Sequence, residues 1–426
     1  MKKVGNSALL LLLCAVMVFA AACGQSGETA AGGREITLVN NKPETDEALR
    51  NFAAVFESQT GIRVTIRTFG GETPYAPNLM AMFNGGMEPE LFVFEGRAGY
   101  EDARNSGRLS DLSTEPWVRD TNVAFTDPVD GKIVGFPVAI EGWGLGYNKD
   151  ILARAGVDPA SLVNIEGIRA AFTRIESMRA QLGLDAVVSM AAGPGMTWVT
   201  GLHGLNGYLA LGLAYDDTTY IDMMLRGEVD NTRLTRFAEY YDLLFRHSNR
   251  NTLLTGGYDQ QIGDFAVGRT AFLHQGNWTD PTFAELGVSF EMGYVPHAFL
   301  PETTDGIFVG APSWYILNAR ANPQGIEDAK QFLIAMASTP EGHDYMVNRA
   351  GMVPAYNSVR LQPPGQFSRA VQEYANAGRI YAWQQNELPD GFGMNILGPI
   401  FAQLAAGQID VQGFVRLVTQ ATAEIR

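Results

Sequence analysis

The sequence runs to 426 residues with a formal charge of −15, 46% hydrophobic residues and two cysteines. Such acidity argues against nucleic acid or anionic lipid as a partner. Cys14 and Cys23 both lie close to the N-terminus, which excludes thiolate metal sites and cysteine nucleophiles from the body of the chain.

The first 22 residues read as an export signal: Lys2 and Lys3, then an apolar run from Ala8 to Ala22 that ends in small residues. The run is shorter than the ~20 residues a spanning helix needs. Ala20-Ala21-Ala22 before Cys23 resembles a bacterial lipobox, with Ala20 where Leu is usual; plain Ala-x-Ala cleavage is the alternative. Cys23 is thus the expected lipidation site, and residues 23–33 are a small, polar tether. Cleavage leaves 404 residues and, with two lysines gone, a charge of −17. That length exceeds one typical domain.

The body opens as strand, helix, strand. Ile36 to Val39 is apolar, and Thr45 is placed to cap a helix with Asp46 and Glu47 in its first turn. Leu49, Phe52, Val55 and Phe56 recur at helical spacing, and Gly61 closes the helix. Ile62, Val64 and Ile66 alternate as in a strand. A helix follows from Tyr75 to Phe83, then a strand from Leu91 to Phe94. This βαβ pattern predicts a largely parallel sheet. Further on, Asn164 caps a helix closed by Gly183, and 186–190 is a strand. Helices are predicted over 234–245, 326–337, 395–405 and 411–423.

Motifs for catalysis are missing: no G-x-S-x-G, no H-E-x-x-H, no phosphate-binding loop. His203, His247, His274, His297 and His343 have no metal-ligand spacing, and no metal or cofactor is called for.

Two segments carry a resemblance. One is Gly131-Lys132-Ile133-Val134-Gly135-Phe136-Pro137-Val138-Ala139-Ile140-Glu141-Gly142-Trp143-Gly144-Leu145-Gly146-Tyr147-Asn148-Lys149-Asp150. The other is Phe265-Ala266-Val267-Gly268-Arg269-Thr270-Ala271-Phe272-Leu273-His274-Gln275-Gly276-Asn277-Trp278. Together they resemble the extracellular solute-binding proteins of ABC importers, in the sugar-binding family that includes maltose-binding protein. A weaker match joins Trp314-Tyr315-Ile316-Leu317-Asn318 to Ala329-Lys330-Gln331-Phe332-Leu333. There are departures: Ser161 to Glu166 lacks the usual T-W-x-E helix start, and Gly193-Pro194-Gly195 stands where some members have E-P-Y.

The resemblance implies an α/β, two-lobed periplasmic-binding-protein fold with discontinuous lobes, a hinge and an interlobe cleft. Chain crossings are expected near 139–141, 275–277 and 311–314. The lobes would then be 34–139 with 277–312, and 140–276 with 313–426. It implies capture of a carbohydrate, delivery to ABC permease subunits, a monomer, and attachment to the membrane by lipid alone on the extracytoplasmic side. A secreted carbohydrate-active enzyme and a sensor-associated binding protein are the alternatives.

Site candidates follow from what a sugar offers: ring faces for indoles and hydroxyls for planar polar groups. Trp143, set between glycines that would leave room for a ligand, Trp198, Trp278 and Trp314 are the stacking candidates. Asn40, Asn41, Glu95 and Arg97 lie in loops after strands, where open α/β sheets bind ligands. Glu141 matches a hinge acid of the family, and Asn277 belongs to the second motif. Trp117 and Trp383 read as packing residues, with Tyr381-Ala382-Trp383 at the cleft edge as the alternative.

Overall fold

The computed structural model describes residues 33–70, 73, 75–389 and 391–425, so the signal, the tether and Cys23 lie outside the described residues. In chain order the strands are β1 Glu35–Asn40, β2 Arg63–Thr68, β3 Leu91–Phe94, β4 Phe125–Thr126, β5 Ile133–Pro137 and β6 Glu141–Asn148. They continue as β7 Ala186–Ser189, β8 Thr270–Gly276, β9 Met292–Val295, β10 Ile307–Gly310, β11 Trp314–Leu317 and β12 Ile380–Tyr381. They form two six-stranded sheets. The first has the order β2-β1-β3-β11-β5-β4, and the second β12-β10-β6-β8-β7 with β9 also on β6.

The opening βαβ unit is as the periodicity predicts. β1 pairs with β2 and β3 in parallel, and the helix Asp46–Thr60 buries Leu49, Phe52 and Phe56 against the first sheet. Gly61 ends it with φ +71°. Thr45 does not cap this helix; its hydroxyl donates to the Lys42 carbonyl at 3.1 Å instead. Asn164 does cap its helix, accepting from the Gly167 N–H at 2.9 Å. The predicted helices 234–245 and 326–337 lie within Asn231–Arg246 and Pro323–Ser338, and the last helix spans Val411–Ala423. Residues 395–405 differ: Phe392–Leu397 is a π-helical turn that leads into the helix Gly398–Ala406.

The chain passes from the first sheet to the second between Pro137 and Glu141, and returns between Gly310 and Trp314. These two crossings run side by side and antiparallel, with Gly310 opposite Glu141 and Trp314 opposite Pro137. The expected crossing at 275–277 is not there. After β8 the chain stays with the second sheet, because the eight-residue β6 is long enough to seat two strands along one edge. β10 pairs with its first half and β9 with its second. Residues 314–317 join the first sheet, and Tyr356 and Val359 pack in its core, whereas Phe367 and Val371 pack on the second. The allocation of 277–312 and 313–359 is therefore the reverse of that expected. A third crossing lies between Val359 and Phe367.

The alternating glycines of β6 explain how the second sheet is covered. Side chains on a strand point to opposite faces in turn. A Cβ at Gly142 would sit 2.3 Å from a Val371 methyl, and one at Gly146 would sit 2.8 Å from the Phe367 ring. One face is thus bare so that the helix Gln366–Asn376 can lie on it. The other face carries Trp143, Leu145 and Tyr147 into the main core.

That core holds two histidines. The Tyr241 hydroxyl meets His274 Nε2 at 3.0 Å and the Tyr240 hydroxyl meets His297 Nδ1 at 2.8 Å. Burial pushes His274 down to about 3, and burial together with His274 pushes His297 well below its ordinary value. Both are neutral when folded and take up protons near pH 6.5 once unfolded. Stability is therefore complete above that pH and falls as pH drops toward the folded values. Urea unfolding followed from pH 7 to pH 5 should show a falling midpoint with up to two protons taken up by this pair. A His274→Gln/His297→Gln double variant should flatten that slope, whatever its absolute stability.

Candidate ligand-binding site

The first-sheet side of the site is the loop after β1. Asn40 is 1% exposed, and its amide donates to the Lys42 carbonyl at 2.9 Å and to the Thr68 hydroxyl at 3.3 Å. It fixes the turn rather than facing a ligand. The turn presents Lys42, whose ammonium pairs with Glu141 at the start of β6 and lies 3.8 Å from Glu44. The Lys42 and Glu141 side chains are each 11% exposed, and that of Glu44 is 29% exposed. Burial pulls Lys42 down, but the charges of Glu141 and Glu44 outweigh it and the net shift is upward. Asn41 donates to Glu95, which follows β3, while its own Oδ1 is buried without a partner. Glu95 is open to solvent yet enclosed by protein mass; burial raises it, with Lys42 opposing. Burial raises Glu44 as well, again against Lys42.

Lys42, Glu44, Thr45, Glu141, Asn277 and Trp278 line one cavity where the two sheets meet. A larger recess lies between helix Asp46–Thr60 and residues 340–349. None of the site candidates lines it.

The second-sheet side is aromatic. Trp278 is half-buried, its indole N–H donates to Gln275 Oε1 at 3.0 Å, and its ring lies 5.1 Å from His203 and 6.0 Å from Trp198. Trp383 meets His203 at 5.3 Å and Trp278 at 6.4 Å, and Tyr258 meets Trp198 at 6.0 Å. Burial first, and then the Lys42 charge, push His203 down to about 3, so it is neutral. Trp278 lines the same cavity as Lys42, Glu44 and Glu141, which puts the aromatic residues beside the charged cluster.

Of the remaining sequence candidates, Trp143, Trp314 and Arg97 lie elsewhere, and Asn277 lines the cavity as a structural tie. Trp143 is 1% exposed, packed on His297 at 4.1 Å and on Phe308 at 5.4 Å, so it is a core residue. The glycines beside it make room for a helix, not a ligand. Asn277 is an internal tie: it accepts from the Gly142 N–H at 2.8 Å and donates to the Ser368 hydroxyl at 3.1 Å. Trp314 is half-buried on Phe94 and Phe125 and donates to the Val123 carbonyl at 2.8 Å, away from the wall. Arg97 pairs with Glu101 on its own helix at 2.8 Å. Glu95, Glu141, Asn41, Trp198 and Trp278 are brought together. Sequence reasoning missed Glu44, His203 and Tyr258, and ranked Trp383 as a packing residue ahead of the cleft edge. Trp198 and His203 share a face only because Trp198–Gly204 is π-helical. An α-helix would set residues five apart on different faces.

Two sheets joined by paired crossings, with polar loops and an aromatic wall at the junction, define a solute-binding architecture. The chain belongs to the bacterial extracellular solute-binding protein family, whose profile matches residues 51–377. A maltooligosaccharide ABC transporter solute-binding lipoprotein of Streptococcus pneumoniae is 22% identical over 332 residues, covering 75% of this chain and 73% of its own. The melibiose/raffinose/stachyose-binding protein MelE of Bacillus subtilis is 21% identical over 411 residues, covering 93% and 91%. Among solved structures, a Bacillus licheniformis sugar transporter in complex with stachyose superposes with TM-score 0.72 at 18% identity, over 92% of this chain and 100% of that one. The binding protein RafE in complex with raffinose gives 0.73 at 17%, over 92% and 99%. These relatives are named as binding or transport proteins, and the structural neighbours are two-lobed solute-binding folds.

Removing one partner of a buried ion pair leaves the other charge uncompensated, which costs about 3–5 kcal/mol. Lys42→Met should therefore lower stability by about that much in urea denaturation. Adding Glu141→Gln to it should recover most of the loss. Equal stability of Lys42→Met and wild type would show that the pair does not hold the junction.

Proposed function

We propose that the protein captures an extracytoplasmic carbohydrate, a mono- or oligosaccharide, and hands it to the permease of an ABC importer. The observation that carries this reading is one cavity at the sheet junction lined by Trp278, with Trp198 and Trp383 beside it, and by Lys42, Glu44 and Glu141, next to which Asn41 and Glu95 are joined. Indoles cover the apolar face of a sugar ring while carboxylates and amides take its hydroxyls. The names of the relatives point to the same class of ligand. In this reading the first lobe is 34–137 with 314–359 and the second is 141–310 with 366–425. Closure about the paired crossings buries the ligand. The protein acts as a monomer, carries out no covalent chemistry, and is tethered through an acylated Cys23.

Melting temperature with raffinose, stachyose and maltotriose tests the reading, because a ligand that binds only the folded state raises it. With the sugar that binds, Trp278→Ala should weaken affinity by roughly 1–3 kcal/mol. Its stability should fall well short of the ~3–5 kcal/mol expected for Trp143→Ala, which empties a core position. No shift with any sugar, or wild-type affinity in Trp278→Ala, would overturn the assignment.

The tether is tested separately by fractionation. Wild type should partition with membranes and Cys23→Ala with the soluble fraction. Identical partitioning would mean that Cys23 carries no anchor.

A further inference from the structure

The charges at the junction do not balance. Three carboxylates, Glu44, Glu95 and Glu141, gather about the single ammonium of Lys42, leaving two negative charges formally uncompensated. Arg97, on the helix that follows Glu95, pairs with Glu101, and His203 is neutral. Glu44 and Glu141 thus share one ammonium between them, with Glu95 held alongside by Asn41.

The unpartnered atoms around the cleft carry independent information. Gln385 is 1% exposed; its amide nitrogen meets His203 Nδ1 at 3.2 Å, and its Oε1 is buried with no partner. Asn41 Oδ1 is likewise buried and unpartnered beside Glu95. Both are acceptors, as are the carboxylates; the Trp383 indole N–H is the unpartnered donor. A hydroxyl brings one donor and two acceptor sites, whereas an ammonium brings three donors and no acceptor. The opposite wall of indoles suits the same group, because the face of an aromatic ring attracts a cation. Among the described residues no group of three or more His, Cys, Asp or Glu is placed to hold a metal ion.

We propose that the solute taken by this cleft carries a protonated amine, as an amino-bearing saccharide does. Glu95 and Glu44 are its carboxylate partners, and Trp278 and Trp383 supply the π-faces. This rests on the reading of the junction as the carbohydrate site and narrows the class of carbohydrate.

The test compares ligands that differ only in an amine for a hydroxyl. Chitosan oligosaccharides of two to four units against cello-oligosaccharides, and galactosamine against galactose, would be titrated calorimetrically at pH 6. The amine should bind at least about tenfold tighter than its hydroxyl partner in one pair or more, the scale of one charge-assisted hydrogen bond. Glu95→Gln should remove most of that preference, weakening the amine ligand several-fold more than its hydroxyl partner, whatever it does to the hydroxyl ligand itself. Glu44→Gln serves as the second variant, and melting curves report whether each is folded. Equal or tighter binding of the hydroxyl member in every pair overturns the inference and leaves the carbohydrate reading standing. A preference that persists in both variants overturns it too, as does the failure of every amine to bind. Binding of spermidine with no saccharide bound would keep the charge inference and sink the carbohydrate reading.

Discussion

The ion pair between Lys42 and Glu141 is the constraint on which the junction depends. Lys42 belongs to the loop after β1, in the first sheet, and Glu141 begins β6, in the second. Both side chains are nearly closed off from water, so neither charge is tolerable without the other. The pair therefore fixes where the first-sheet loop stands relative to the crossing strand. Glu44, Glu95 and Asn41 take their places around that fixed point. Asn40 is part of the same device, since it holds the carbonyl of Lys42 and so the turn that aims the ammonium.

Strand β6 does two jobs with one alternating pattern. Its glycines admit the helix Gln366–Asn376 on one face, and its large residues fill the core on the other. Gly-Trp-Gly reads in a sequence as an aromatic flanked by open space, and a ligand is one way to fill such space. A helix from more than two hundred residues further along is another. No local pattern separates the two, because the filler is supplied by tertiary contact.

This sets what was legible in the sequence. The opening βαβ unit, the caps at Gly61 and Asn164 and the final helix rest on local periodicity and turn chemistry, and they appear where those predict. The crossing at 137–141 also showed, since the motif around it is continuous. The fate of residues 277–312 did not, because it depends on β6 being long enough to seat both β9 and β10. Within the site, Glu95, Glu141 and Trp278 sit beside strand ends and motifs and were readable. Glu44 was hidden in a turn, and His203 by a π-helical stretch that places it against Trp198 and Trp278 contrary to α-helical spacing.

The Gly276-Asn277-Trp278 sequence shows how a motif divides its labour. Asn277 receives the N–H of Gly142 and gives its own amide to Ser368, whose backbone N–H is accepted by Asp280 at 2.6 Å. Three segments distant in sequence are thereby locked at one point. A Cβ on Gly276 would lie 2.1 Å from the Trp278 ring, so only glycine lets the indole fold back over the strand end. Gln275 then takes the indole N–H and sets the ring's tilt. The asparagine and glycine are structural, and they hold the indole in one place; a ring so held would lose little freedom on meeting a ligand.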